Sequence, residues 1–360
     1  SQGAFWINDE TGKWSGSTYY GTFPTWVSTY NDRQGLDFRI GEMTWAPYLS
    51  VTSYRYLTSE VKQVTFKHKF DDERKNKYRK LKTSPYANEE VNRLVNACLN
   101  ATSVGRDLVP DMLNLAYYAG NYDHRPVSVL PMEMQDTYVR LDANLAELLD
   151  IIDRKVGLSN TLFYITSTGY TDAEPLDHTK YRIPTGEFHI KRCAALLNLY
   201  LAAIYGEGQY VEAFHEQEIY LNHKLIEQKH LNLTEILERS SDFLVQFSGV
   251  KDVYSSHRIM LGSWTPDLDK VKNRYNKSCS GDLWVEVLPG WTILRDHSLD
   301  TKVVRNIYTS APFILMGWSV RPEIIYSPIQ IGHIAPTLAH FMRIRAPNAS
   351  ALPPLADIRK

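Results

Sequence analysis

Two apolar runs constrain this chain more than any other feature. Met112-Leu113-Asn114-Leu115-Ala116-Tyr117-Tyr118 and Leu162-Phe163-Tyr164-Ile165 stand on either side of a long amphipathic segment. A short apolar run bounded by polar turns reads as a buried strand. Tyr138, Leu141, Leu145, Leu148, Leu149 and Ile152 recur at helical spacing within Met134 to Val156, with Gly157 as the stop. Strand, helix, strand predicts a parallel α/β sheet, which presents its chemistry beyond the strand C-termini. Those ends carry Gly120-Asn121-Tyr122-Asp123-His124-Arg125 and Thr166-Ser167-Thr168-Gly169-Tyr170.

The rest of the chain fits around that unit. Ala4-Phe5-Trp6-Ile7 and Ser17-Thr18-Tyr19-Tyr20 flank a polar turn and read as a hairpin, and Pro24 opens a short helix through Asn31. Residues 62 to 84 mix Lys and Arg with Asp71, Asp72 and Glu73, which reads as a solvated excursion rather than a nucleic-acid patch. Helices are predicted over Asn88 to Ala101, 189–205 and 233–247, the last opened by Asn232 with Glu235 as a capping box. Leu283 to Leu288, Pro289-Gly290 and Trp291 to Leu294 read as a second hairpin. A buried strand, Pro312 to Trp318, and a helix, Ile334 to Met342, close the chain.

A net charge of -1 argues against broad binding to nucleic acid or acidic membranes. No apolar run approaches the ~18 residues of a membrane span, so no transmembrane segment is expected. Three cysteines (Cys98, Cys193, Cys279) show no zinc-site spacing, and Cys98 and Cys193 read as thiols within helices. The 23 tyrosines and 8 tryptophans suit aromatic cores and polar-rimmed interfaces. The start, Ser1-Gln2-Gly3-Ala4, reads as that of a processed or trimmed chain.

Three Asp-His pairs (Asp123-His124, Asp177-His178, Asp296-His297) are weak metal signals, and Thr166-Ser167-Thr168-Gly169 reads as a polar turn capping a strand before it reads as a nucleophile. Longer motifs are more specific. They are Gly3-Ala4-Phe5-Trp6 with Ser17-Thr18-Tyr19-Tyr20; Thr83-Ser84-Pro85-Tyr86; Asp111-Met112-Leu113-Asn114-Leu115; Gln135-Asp136-Thr137-Tyr138-Val139-Arg140; Arg182-Ile183-Pro184-Thr185-Gly186; Ile219-Tyr220-Leu221-Asn222; Ser280-Gly281-Asp282; Leu288-Pro289-Gly290-Trp291; and Ile334-Ala335-Pro336-Thr337-Leu338. In this order, over nearly the whole chain, they resemble the alkaline phosphatase superfamily. The likeness is to the monomeric periplasmic phosphatases of Bacteroidetes and their type I phosphodiesterase and nucleotide-pyrophosphatase relatives.

The resemblance implies an α/β fold with an alkaline-phosphatase-like central, mostly parallel sheet flanked by helices and an inserted smaller α+β region. It divides the chain into an aromatic cap region (1–84), an α/β core (85–180), an inserted subdomain with a hairpin (181–300) and a C-terminal core strand and helix (301–360). It also implies a pair of zinc ions held by Asp and His at strand ends, activating a Ser or Thr nucleophile. The nucleophile and first ligands of such enzymes lie N-terminal to the stretch matching Gly3-Ala4-Phe5-Trp6. The later ligands can be compared directly. Asn121 stands where the family has Asp, with His124 at the His position. Thr168-Gly169 stand where it has Asp-His, and Lys302 where it has the last His.

These substitutions imply no catalytic residue and no bound metal: a pseudophosphatase acting as a binding or structural partner in the periplasm or cell envelope. Its former cleft is lined by Asn121, Asp123, His124, Thr168, Tyr170 and Lys302. The expected partner is another polypeptide or the protein's own N-terminal fragment, with an unpaired sheet edge to complete. Two alternatives stand beside it. One is a zinc-dependent phosphomonoesterase or phosphodiesterase whose missing groups lie in a preceding segment. The other is a metal site rebuilt from His124, Asp172, Asp177 and His178.

Overall fold

A computed structural model describes residues 3–54, 65–70, 76–124, 131–167, 169, 184–263, 265–294, 301–304, 310–356 and 358. The chain divides into two compact units, one formed by Ser1–Ala173 with Thr309–Lys360, the other by Glu174–Tyr308. The α/β class expected from the sequence holds.

The first unit begins with strands β1 (Phe5–Ile7) and β2 (Trp14–Gly16), an antiparallel hairpin across the Asn8 to Lys13 turn. The segment Thr18–Tyr20, expected in the return strand, is instead a turn of 3-10 helix capped by the Ser17 hydroxyl. Helix α1 (Thr25–Gln34) follows Pro24, then the short strands β3 (Thr44–Trp45) and β4 (His68–Lys69), which pair with each other. In the charged excursion, Phe66, Phe70, Tyr78 and Leu81 turn inward beside exposed lysines, so it anchors one side and solvates the other. Helices α2 (Lys77–Lys82), α3 (Tyr86–Ala101) and α4 (Pro131–Lys155) come next, then β5 (Leu162–Thr166).

The α4 face differs from expectation. Its C-terminal half buries Leu148, Ile151 and Ile152 against Val95 and Leu99 of α3, as the period predicts. In its N-terminal half Tyr138 is exposed, and the buried positions are Met132, Glu133, Asp136, Thr137 and Asn144. The cause is the neighbour. Residues 44–54 and 68 supply indole, phenol, imidazole and amide donors, which need acceptors rather than leucines. Asp136, fully buried, accepts from Trp45 Nε1 (2.5 Å), Tyr54 Oη (2.5 Å), the Tyr48 amide (2.7 Å) and Arg140 Nε (2.8 Å). Glu90 of α3 does the same for Trp14 Nε1 (3.0 Å), Tyr30 Oη (2.8 Å) and Arg39.

The second unit holds β6 (Glu187–His189), α5 (Ile190–Tyr205), β7 (Val211–His215), β8 (Glu218–Leu221), α6 (His223–Gln228), α7 (Leu233–Leu244), β9 (Val250–Ser255), α8 (Ser256–Leu261), α9 (Pro266–Lys272), β10 (Leu283–Val287), β11 (Thr292–Leu294) and β12 (Thr301–Val303). Strands β7-β8-β10-β9 form an antiparallel sheet, and β12-β11-β6 a second one in which β11 runs parallel to β6. Leu197, Leu201, Ile219, Ile236, Leu283 and Val285 are the fully buried centre of its core. At the start of α7, Asn232 Oδ1 accepts from the Thr234 and Glu235 amides, while the Glu235 carboxylate turns to Arg239 instead of closing a capping box.

The Leu283–Leu294 stretch is not a hairpin. β10 pairs with β8 and β9, whereas β11 pairs with β6 and β12. The Pro289-Gly290 turn, with Gly290 at φ 86°, carries the chain from one sheet to the next, and the Leu288 amide bonds Gly249 O.

The chain then returns to the first unit as β13 (Phe313–Gly317), antiparallel to β5, and α10 (Ile334–Met342). Neither β5 nor β13 is buried as expected; Ile165, Ile314 and Met316 are exposed. The run 112–118, expected as a strand, has no regular secondary structure and forms no ladder among the described residues. All three cysteines are free thiols: Cys193 buried, Cys98 half-buried and Cys279 exposed.

Candidate functional site

The polar turn after residue 120 is held from below. Tyr122 is buried between Trp45 (ring centroids 5.1 Å) and His68 (4.6 Å), and His68 Nε2 lies 3.0 Å from Glu133 Oε1. Tyr118 Oη donates to Asn121 O (2.6 Å), the Asp123 amide donates to Thr83 Oγ1 (3.1 Å), and the His124 amide to Asn121 O (3.1 Å). Asp123 and His124 are consecutive left-handed residues, at φ 51° and 55°. Non-glycine residues reach that region at a cost, and such positions persist where packing over-determines them. Here one buried ring and three hydrogen bonds do so, leaving His124 exposed and Asp123 half-buried. The Asn121 side-chain oxygen is turned away from solvent.

Beyond β5, Ser167 Oγ donates to Gly169 O (2.6 Å) and accepts from the Gly169 amide (3.3 Å). That closed turn engages the exposed Ser167 hydroxyl, in keeping with a cap. Gly169 is exposed, and a Cβ there would meet nothing within 4 Å. Thr168 and Tyr170 lie outside the described residues, as do Asp172, Asp177 and His178 of the rebuilt-site reading. Lys302 belongs to the second unit, where β12 pairs it with Ile293 of β11. It is a strand residue, because β11 offers a ladder to the segment after residue 300.

The superfamily's zinc ions are tested by donor chemistry. Zinc takes thiolate, imidazole or carboxylate. Asn121 offers a neutral amide, Gly169 no side chain and Lys302 an ammonium, so these residues do not fit the metal. Asp123 and His124 share one turn, and among the described residues no group of three His, Cys, Asp or Glu side chains could hold an ion.

The sequence reading missed the platform beneath the turn: Thr83, His68, Glu133, Tyr122 and Asp136. One signal was present. Glu133, Asp136 and Arg140 recur at helical spacing on a segment otherwise read for its leucines.

Residues 1–310 match the family model described as "Type I phosphodiesterase / nucleotide pyrophosphatase". The chain is 26% identical over 379 aligned residues to alkaline phosphatase PafA of Elizabethkingia meningoseptica, covering 99% of this chain and 67% of that protein. It is 24% identical to alkaline phosphatase PhoV of Synechococcus elongatus, covering 100% and 67%. The crystal structure of wild-type PafA superposes with a TM-score of 0.75 at 24% identity, covering 100% of this chain and 71% of that one. Among the described residues no helix is long and apolar enough to cross a membrane.

Proposed function

The chain belongs to the type I phosphodiesterase / nucleotide pyrophosphatase family of the alkaline phosphatase superfamily, and from that premise we propose that it is a pseudophosphatase. In this reading the phosphatase fold is kept, the metal chemistry is lost, and the protein serves as a binding or structural partner in the bacterial cell envelope. The observation that carries the reading is the donor set. Amide, glycine and ammonium stand at Asn121, Gly169 and Lys302, where the family resemblance implies metal ligands, while Tyr118 and Thr83 hold the Asn121 to His124 turn. The Lys302 ammonium, in the second unit, is not a zinc donor. The expected partner is another polypeptide, or an N-terminal fragment of the same protein. Exposed aromatics in the N-terminal region, Trp6, Tyr19 and Phe38, suit such a surface.

The alternative is a zinc-dependent phosphomonoesterase or phosphodiesterase. The observation favouring it is that two of the relatives, PafA and PhoV, are named alkaline phosphatases and extend beyond the matched 67% of their length. The nucleophile and remaining ligands would then be supplied from outside these 360 residues. One experiment separates the two. The protein is equilibrated with zinc, dialysed, analysed for metal, and assayed on aryl phosphate mono- and diesters. The pseudophosphatase retains no stoichiometric zinc and turns over neither substrate. Retained zinc with chelator-sensitive turnover would replace it with the hydrolase.

A further inference from the structure

Helix α5, within the second unit, is apolar on both of its faces. The inner face, with Ile190, Cys193, Ala194, Leu197 and Leu201, is buried in that unit's core. The outer face carries Ala195, Leu199 and Ala203, all exposed, Leu199 at 64%, with the half-buried Leu196 beside them. From Cys193 to Tyr205 no side chain is charged, and the one carboxamide, Asn198, accepts from the Tyr210 and Val211 amides (2.8 and 3.2 Å). Its neighbour α7, joined to it where Tyr200 stacks on Phe243 (4.2 Å), instead turns Glu238, Arg239 and Asp242 to solvent. A solvent-facing helix shows polar residues on its outer side, and a helix that is apolar all round is a covered one.

The ends of α5 are charged and unmatched. Its N-terminus has no side-chain cap and no acidic residue in the first turn, and Lys191 and Arg192 stand there against the helix dipole. Glu207 lies just beyond the last helical residue, Tyr205. Among the described residues none of Lys191, Arg192 and Glu207 has an ion pair. The Lys229 ammonium at the C-terminal end bonds the carbonyls of Tyr205, Gly206 and Glu207 (3.3, 3.3 and 2.6 Å) and the Tyr210 hydroxyl (2.8 Å), not the Glu207 carboxylate.

We propose that the outer face of α5 is a self-association surface whose partner is α5 of a second copy of this chain, antiparallel to it about a two-fold axis at Leu199. Residues four apart share a helix face. The two Leu199 side chains therefore meet at the axis, and Ala195 of one copy faces Ala203 of the other, small residues that let the helices approach closely. A two-fold contact uses one patch twice, so a central leucine with an alanine on either side is complementary to itself. The same register sets Lys191 and Arg192 of one copy beside Glu207 of the other, and that carboxylate also favours the uncapped helix start. One helix face about 24 Å long is small beside the roughly 1,000 Å² of a durable interface, so the dimer is a weak one that forms as concentration rises. The proposal goes beyond the partner reading above. It is read on mass, so its outcome is independent of the zinc and turnover assay.

Sedimentation velocity on the full chain, from about 1 to 300 μM, tests it. The mass should rise with concentration from 41.4 kDa toward twice that value. Leu199→Glu, at an exposed position, should raise the dissociation constant roughly tenfold or more while the circular dichroism stays unchanged. Arg192→Glu and Glu207→Arg should each weaken association roughly threefold, and the two together should restore it. In a Cys279→Ser background, Leu199→Cys should give a disulfide-linked dimer under oxidised glutathione, because the axis brings the two copies of that position together, whereas Glu207→Cys should not. Four results would overturn the proposal. They are a single 41.4 kDa species at every concentration, as in the monomeric phosphatases the chain resembles; a Leu199→Glu variant that associates like the parent; a double exchange no tighter than its single members; or cross-linking through Glu207→Cys rather than Leu199→Cys.

Discussion

Removing the Asp136 carboxylate should unfold the first unit's aromatic region before anything else. The side chain is fully buried and accepts from an indole, a phenol, a backbone amide and a guanidinium. Asp136→Ala leaves these donors unsatisfied, and leaves the Arg140 guanidinium, its side chain 13% exposed, with the looser Glu89 pair (3.8 Å) and the Ala46 carbonyl (3.0 Å). Breaking a buried ion pair by deleting one member costs about 3–5 kcal/mol. A buried neutral donor left unpaired adds about 1–3 kcal/mol, part of which relaxation recovers. We expect a loss of about 5 kcal/mol, which at about 3 kcal/mol/M moves the urea midpoint down by roughly 1.7 M. Asp136→Asn keeps the volume and one acceptor oxygen but turns an N–H toward donors, so its loss should be smaller, about 3 kcal/mol. Trp45→Phe, which leaves the charged group three of its donors, should cost less again. Near-UV circular dichroism and tryptophan fluorescence through a urea titration provide the readout. Asp136→Ala costing less than about 1 kcal/mol, or Trp45→Phe costing more than Asp136→Asn, would refute the idea that this carboxylate organises the region.

Further outcomes follow from groups whose titration is displaced. Burial, and then the bond to Asp136, push the Tyr54 phenol up to about 12, above its ordinary 10.0. A raised acid is protonated in the fold while the unfolded chain ionises, so Tyr54 contributes stability below pH 10 that is lost as pH climbs toward 12. Tyr54→Phe should flatten that part of the stability profile, measured by urea midpoints between pH 9 and 11.5; an unchanged slope would count against the assignment. Burial likewise pushes the Cys193 thiol up to about 11 and raises that of Cys98, whereas Cys279 is exposed. At pH 8 a disulfide reagent should therefore label one thiol quickly in the native protein, and Cys279→Ser should remove that fast phase.

The elements that followed from the sequence are those whose pattern is local. α3, α5, α7 and the C-terminal half of α4 bury the faces their 3.6-residue period marks. Gly157 ends α4 at φ 89°, as a helix stop should. What failed depended on partners far along the chain. Pro289-Gly290 has the chemistry of a hairpin turn, yet a turn does not specify which sheet receives the next strand; here β9 and β6 claim the two arms. The run 112–118 has strand composition, but a ladder needs a neighbour. Tyr138 sits on the predicted apolar face and is exposed, because the Trp45 indole, 91 residues away from Asp136, rotates the polar side of α4 inward.

The same division runs through the candidate site. Its donor types are read from the sequence directly: amide, glycine and lysine are not the thiolate, imidazole or carboxylate that zinc takes. Its shape was not legible, because Tyr122, Thr83 and His68 hold the turn through contacts separated by tens of residues. Together the two let the protein keep this turn under the proposed metal-free reading. The left-handed pair Asp123–His124 is fixed by a buried ring, a threonine hydroxyl and a tyrosine phenol, none of which is a metal ligand. A loop whose conformation is set from beneath keeps that conformation when its outward-facing donors change. Asn121→Asp would put a carboxylate where the amide oxygen is turned away from solvent, so it should cost stability and still hold no zinc, because Gly169 offers no side-chain donor and Lys302 only an ammonium.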